Sequence, residues 1–271
     1  MFNLKKVYYP NGEVTIVFFK VPVGKFKEDD DSTNKKSEIG EFPLSDEDKI
    51  HSINCSLNRT KNKVMQLARS NIWEWFLTLT FNGKKVDRYN YEECTVKLSQ
   101  WLKNQKKVFP DMAYLVVPEQ HKDGAWHFHA LVKGGLTFVE AHNPHTGDII
   151  ISPSGNKVYN VKEYKWGLTT ATRVSNSKKA SQYIVKYMTK ELIGLTPEKK
   201  RYWNSRNCEL PFIEKFMIHS SLVEQYLENE GYKKKADYCQ IVKPFSYPEQ
   251  EITYYEINNN ISYVLTCFFA I

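Results

Sequence analysis

The chain has 271 residues, 41% of them hydrophobic and 25% charged, a globular composition that excludes wholesale disorder and allows one large or two modest domains. Lys and Arg number 38 against 31 Asp and Glu, and a net charge of +7 favours a phosphate-bearing partner. The five cysteines (Cys55, Cys94, Cys208, Cys239, Cys267) are scattered with no C-x-x-C pair, which argues against a disulfide framework or a thiolate zinc site and suits a reducing compartment.

The first residues carry no signal-peptide-like apolar run, and the longest apolar stretch, residues 263–271, is far below the roughly 20 residues a spanning helix needs. The expectation is a soluble protein of a bacterial cytoplasm with no membrane partner. Residues 6–10 and 13–20 flank Asn11-Gly12, whose tolerance of positive φ predicts a small β-hairpin within residues 1–22. Residues 23–48 read as an acidic, flexible linker: from Glu28 to Asp48 nine acids stand against Lys35 and Lys36. Ser45 followed by Asp46, Glu47 and Asp48 predicts a helix start, and the helix is expected to run in pieces to about Ser70 with Arg59, Lys61, Lys63 and Arg69 on it.

The central domain, residues 49–193 with that leading basic helix, reads β-α-β-β, an insertion, then β-α. Strands are predicted at 76–81 (FLTLTF), 113–118 (AYLVVP), 126–133 (WHFHALVK) and 168–174, and helices at 91–107 and 177–192. Residues 134–167 form a polar insertion. Helices laid on an antiparallel sheet suggest an α+β, ferredoxin-like architecture. Residues 194–271 are set apart as a C-terminal α/β extension, with a helix expected at about 214–230.

The stretch from Glu119 to His129 is the most informative. Side chains alternate along a strand, so His127 and His129 share a face while Phe128 points to the core. Two adjacent imidazoles suit a borderline divalent cation, and Glu119, just before the hairpin turn, is placed to complete the set. The alternative is a solvated sheet face that happens to carry histidines. His121 shares the phase of Glu119 and reads as a turn residue or a further ligand; His142 and His145 read as loop residues.

On the 177–192 helix, Ala180, Ile184, Val185, Met188 and Leu192 fall in one sector and Tyr183, Lys186, Tyr187 and Lys190 in another. Tyr183 and Tyr187 are one turn apart, with lysines interleaved. Packing is the plain reading of such a pair, and Tyr187, nearer the apolar border, suits it better. The other reading is chemical. A phenol of pKa near 10 needs neighbouring cations or a polarised phosphate to attack phosphorus.

FLTLTF, His127-Phe128-His129 and Tyr183-Ile-Val-Lys-Tyr187-Met-Thr-Lys190, in this order, resemble the HUH endonucleases (histidine–hydrophobic–histidine), and within them the rolling-circle replication initiators of the two-tyrosine phage type. The resemblance covers under half the chain. It implies that Glu119, His127 and His129 bind one Mg²⁺ or Mn²⁺, and that Tyr183 nicks single-stranded DNA at a replication origin. The product would be a 5′-phosphotyrosine link and a free 3′-OH primer. Lys186 would stabilise developing charge and Tyr187 would serve as a second nucleophile or as packing. Host helicase and DNA polymerase are the implied protein partners. Arg173, Lys178, Lys179 and Lys190 are candidate phosphate contacts beside the tyrosines. A conjugative relaxase or single-strand transposase would share this chemistry, and a non-catalytic nucleic-acid-binding module would share only the sheet.

Overall fold

The computed structural model describes residues 1–24, 45–189, 192, 199–243 and 249–258. Its elements in chain order are β1 (Phe2–Tyr8), β2 (Glu13–Val23), α1 (Asp46–Arg69), β3 (Trp75–Phe81), α2 (Tyr91–Val108), β4 (Ala113–Gln120), β5 (Trp126–Lys133), β6 (Phe138–Glu140), β7 (Tyr159–Val161), β8 (Gly167–Arg173), α3 (Ser177–Val185), β9 (Trp203–Asn204), β10 (Phe212–Phe216), α4 (Val223–Asn229), α5 (Tyr232–Lys235), β11 (Tyr238–Val242) and β12 (Ile252–Asn258). This is a mixed α+β chain built on two antiparallel sheets. No helix among the described residues is long and apolar enough to cross a membrane.

The chain divides into two units, Met1–Phe42 with Leu210–Ile271, and Pro43–Glu209. In the first, the five strands run β10-β1-β2-β12-β11. The amino-terminal hairpin and the carboxy-terminal extension are therefore one structure, and the sequence reading that set them apart is corrected. Main-chain pairing of β2 with β12, from Ile252 opposite Phe19 to Asn258 opposite Glu13, is long-range and leaves no local signature. One face of this sheet buries Leu4, Ile16, Tyr255 and Ile257 against Val223 and Leu227 of α4. The helix expected at 214–230 is also corrected: residues 212–216 pair with β1 as a strand, and only Val223–Asn229 is α-helical. The acidic stretch 25–44 lies outside the described residues.

The second unit carries a sheet in the order β6-β7-β8-β3-β5-β4-β9. Strand β5 lies between β3 and β4 and is antiparallel to both, so the β3-α2-β4 segment is a crossover between parallel strands. Period-2 alternation divides the faces. Leu77, Leu79, Phe81 and Phe128 are fully buried on one side, where Tyr91 of α2 meets Trp126 at 4.5 Å and Trp101 meets Tyr164 at 5.3 Å. Helix α2 begins at Asn90, whose side-chain oxygen accepts from the Glu92 and Glu93 amides, and its first turn is acidic as the dipole favours.

The opposite face carries Phe76, Thr78 and Thr80 of β3, His127 and His129 of β5, and Glu119 of β4. Helices α1 and α3 pack on one another and reach β4 and β5 from this side. Helix α1 is a single 24-residue helix instead of the interrupted one expected. Its carboxy-terminal end is tied by the Trp73 indole, which donates to the Ala68 carbonyl at 2.8 Å.

Helix α3 is shorter than the 177–192 expectation. Lys186 N–H donates to the Tyr183 carbonyl and Met188 N–H to the Val185 carbonyl, so the last turn tightens to a 3₁₀-type pattern. The buried side of the segment is otherwise as predicted, with Ile184, Met188 and Leu192 in the core and Tyr183 outside it. The insertion is also partly structured, since β6 and β7 extend the sheet beyond β8.

Candidate metal and tyrosine site

Cross-strand register assembles the site. His129 stands opposite Thr78 on β3 and Val117 on β4; His127 stands opposite Thr80 and Glu119. Each imidazole therefore meets a threonine hydroxyl: His129 Nδ1 lies 3.2 Å from Thr78 Oγ1, and His127 Nδ1 lies 3.1 Å from Thr80 Oγ1. With Nδ1 protonated, each ring donates to its hydroxyl and turns Nε2 outward. Those two threonines belong to FLTLTF, and the sequence reading used that strand only as a marker.

Glu119 Oε2 accepts from His129 Nε2 at 2.7 Å, and this bond, more than any other influence, holds the Glu119 carboxyl below the usual carboxylate range. Burial lowers the His127 pKa, helped by the neighbouring His121 and His129. His127 is thereby kept in the neutral form that ligates metals. The His121 ring lies 5.1 Å from that of His127, and its Nδ1 is 3.5 Å from Asp123, which also pairs with Arg88. His142 remains a loop residue, bonded to the Gly147 carbonyl.

The donor chemistry fits a divalent cation. Metal-bound imidazoles typically fix their other ring nitrogen on an oxygen partner, as both do here. The set is nevertheless not closed. Among the described residues, no three His, Cys, Asp or Glu side chains stand together at metal-holding distances. Glu119 and His129 are in contact, with His127 beside them on the same face.

The tyrosines come to this face. The Tyr187 ring stacks on His129 with centroids 3.6 Å apart and planes 12° apart. Tyr183 meets Tyr187 edge-on at 5.5 Å, and both flank Phe76, whose ring lies 5.1 Å from Tyr183 and 5.9 Å from His129. The two phenols differ. Tyr183 is 45% exposed, with the Lys186 ammonium 5.2 Å from its ring centre. Tyr187 is half-buried, and burial, reinforced by its hydrogen bond to Tyr183, pushes its pKa well above the ordinary phenol value.

Beside the tyrosines lies a cleft of about 760 Å³, walled by Thr170, Thr172 and Arg173 of β8, by Asn176, Lys179 and Gln182 of α3, and by the turn from Ser152 to Asn156 of the insertion. Arg173 rests its guanidinium over the Trp75 ring at 4.2 Å, and the Asn176 side chain caps α3 by accepting from the Lys179 amide. Lys178 falls outside the cleft lining, and Lys190 lies outside the described residues. The polar turn as a cleft wall was not foreseen. Its only sequence signal is the Ser-Pro-Ser-Gly-Asn composition, which marks a turn without saying where it lands.

Residues 74–192 match the family model for the replication-associated protein ORF2, a span that contains every residue of the site. No curated protein and no solved structure matches the chain.

Proposed function

We propose that the chain initiates rolling-circle DNA replication as a metal-dependent, site-specific nicking and joining enzyme for single-stranded DNA. The observation that carries this reading is the stacking of Tyr187 on His129. It sets the tyrosine segment directly over the imidazole pair, within the part of the chain similar to replication-associated proteins. In this reading the four strands ordered β8-β3-β5-β4 are a ferredoxin-like core of the HUH type.

Glu119, His127 and His129 would hold one Mg²⁺ or Mn²⁺, with Thr78 and Thr80 fixing the imidazoles. The bound cation supplies charge neutralisation at the scissile phosphate and so makes a weak nucleophile sufficient. Tyr183 is the first nucleophile because it is the exposed phenol with a cation beside it. Its oxygen bonds to phosphorus, its proton passes to solvent, and the bond from phosphorus to the 3′ oxygen breaks. That oxygen takes up a proton and becomes the 3′-OH primer, while the 5′ end remains on the tyrosine. Lys186 offsets the charge that develops on the phosphoryl oxygens. Tyr187 orients His129 by stacking and, once its phenol is uncovered, is the second nucleophile for closing the displaced strand. Arg173 and Lys179 contact phosphates along the cleft.

The test is an incubation with single-stranded origin DNA and Mn²⁺, followed by denaturing electrophoresis. A covalent protein–DNA band is expected with the wild-type chain, and EDTA, His127→Ala and Tyr183→Phe should each remove it. Absence of any band across candidate origins would leave the reading of a non-catalytic binding module.

A further inference from the structure

We infer that the chain has a second binding site for the backbone of single-stranded DNA, at the sheet edge opposite the tyrosine cleft, built from Lys199, Lys200 and Arg201 against α1. The segment runs into β9, and a separate pocket of about 310 Å³ there is lined by Thr60, these three cations and Asn204. Each part of it is held. The Tyr91 hydroxyl donates to the Lys200 carbonyl, and Arg201 Nη1 donates to Ser56 Oγ at 2.9 Å. The Lys200 ammonium lies 5.6 Å from the Trp203 ring centre, and Lys199 pairs with Glu92 at 2.9 Å.

Helix α1 adds to the charge. Ser56, Arg59, Thr60 and Lys63 follow the i, i+3, i+4, i+7 rule and occupy one face, so Arg59 and Lys63 flank the two residues that meet the basic segment. A pocket whose walls are cations, a hydroxyl and an amide takes a phosphate oxygen, and tryptophan and tyrosine rings beside it suit stacked bases.

Its position says which phosphate. Strands β8 and β9 are four steps apart in the sheet, about 19 Å at the usual strand spacing. That distance spans roughly five to six phosphates of a single strand. A strand lying in the tyrosine cleft can reach this pocket only if it continues some six nucleotides beyond the nick. The inference rests on single-stranded DNA as the partner, but not on the nicking chemistry.

The test measures anisotropy of labelled oligonucleotides with the full chain in EDTA, where no cleavage occurs. The two strands are 5 and 20 nucleotides long, and the variant is Lys199→Ala/Lys200→Ala, both exposed side chains. For two lost single-strand phosphate contacts the slope of log affinity against log salt should fall by about 1.4, which at about 0.1 M salt is roughly 25-fold weaker binding of the long strand. Binding of the short strand should be unchanged, and Arg173→Ala should weaken both. Unchanged long-strand affinity, or equal loss on both strands, overturns the inference. So does an unchanged long-strand slope accompanied by loss of thermal stabilisation by a nucleoside triphosphate, because the pocket then serves a free phosphate. Tyr183→Phe should alter neither affinity, so failure here and failure of the nicking proposal are separable.

Discussion

Replacing Thr78 and Thr80 by valine probes how the imidazoles are held, without touching a proposed ligand or nucleophile. The change keeps the β-branched shape and removes only the hydroxyls that lie 3.2 Å and 3.1 Å from His129 and His127 Nδ1. A hydrogen bond of this kind has a net worth of about 1 kcal/mol, or a factor of about 5 in an equilibrium constant. Each single variant should thus weaken Mn²⁺ binding about fivefold, and the double variant about 25-fold if each hydroxyl acts on its own imidazole, within the range of about 10- to 100-fold for outer-shell partners of metal ligands. Isothermal titration with Mn²⁺ on metal-free protein reads this directly. Wild-type affinity in the double variant would refute the reasoning, because the imidazoles would then need no threonine to orient them.

Gly167 stands opposite Phe81 in the β3–β8 pairing, and a Cβ there would lie 2.0 Å from the Thr80 carbonyl oxygen and 2.7 Å from the Asn82 amide. Gly167→Ala should destabilise the chain by about 1–3 kcal/mol, the usual cost of overpacking, and weaken Mn²⁺ binding by displacing Thr80; urea unfolding and titration check both. Stability of the metal-free protein should fall as pH drops below about 6.5: His127 has a depressed pKa in the fold, so the unfolded chain takes up the proton first. His127→Asn should flatten that part of the thermal-stability profile. Tyr187→Phe should keep the stack on His129 and the first nick, whereas Tyr187→Ala, which removes the stacked ring, should lower nicking and Mn²⁺ affinity together.

Much of this was legible because it is local. Alternation in Trp126–Lys133 put His127 and His129 on one face and Phe128 in the core, and the buried positions of Ile184, Met188 and Leu192 follow from helical spacing. What was missed depends on partners distant in sequence. Thr78 and Thr80 become imidazole partners only through the β3–β5 register, and the Ser152 turn becomes a cleft wall only once β8 is paired. The segment around Glu214 holds residues that suit a helix, but pairing with β1 overrides local propensity and makes it a strand. The end of α3 at Val185 was hidden because Lys186 to Met188 keep the helical apolar spacing while their hydrogen bonds shorten. Glu119 was found from its place before the hairpin turn, and the structure adds that its bond is to His129.

Convergence of the phenols and the cation is tested most directly by fluorine NMR of the chain carrying fluorotyrosine, titrated with Mn²⁺ and assigned through Tyr183→Phe and Tyr187→Phe. Paramagnetic broadening should strike the signals of Tyr183 and Tyr187 at low Mn²⁺ occupancy, spare Tyr8 and Tyr238 of the other sheet, and vanish in His127→Ala/His129→Ala. Sharp signals from residues 183 and 187 in the Mn²⁺-saturated protein would contradict the account.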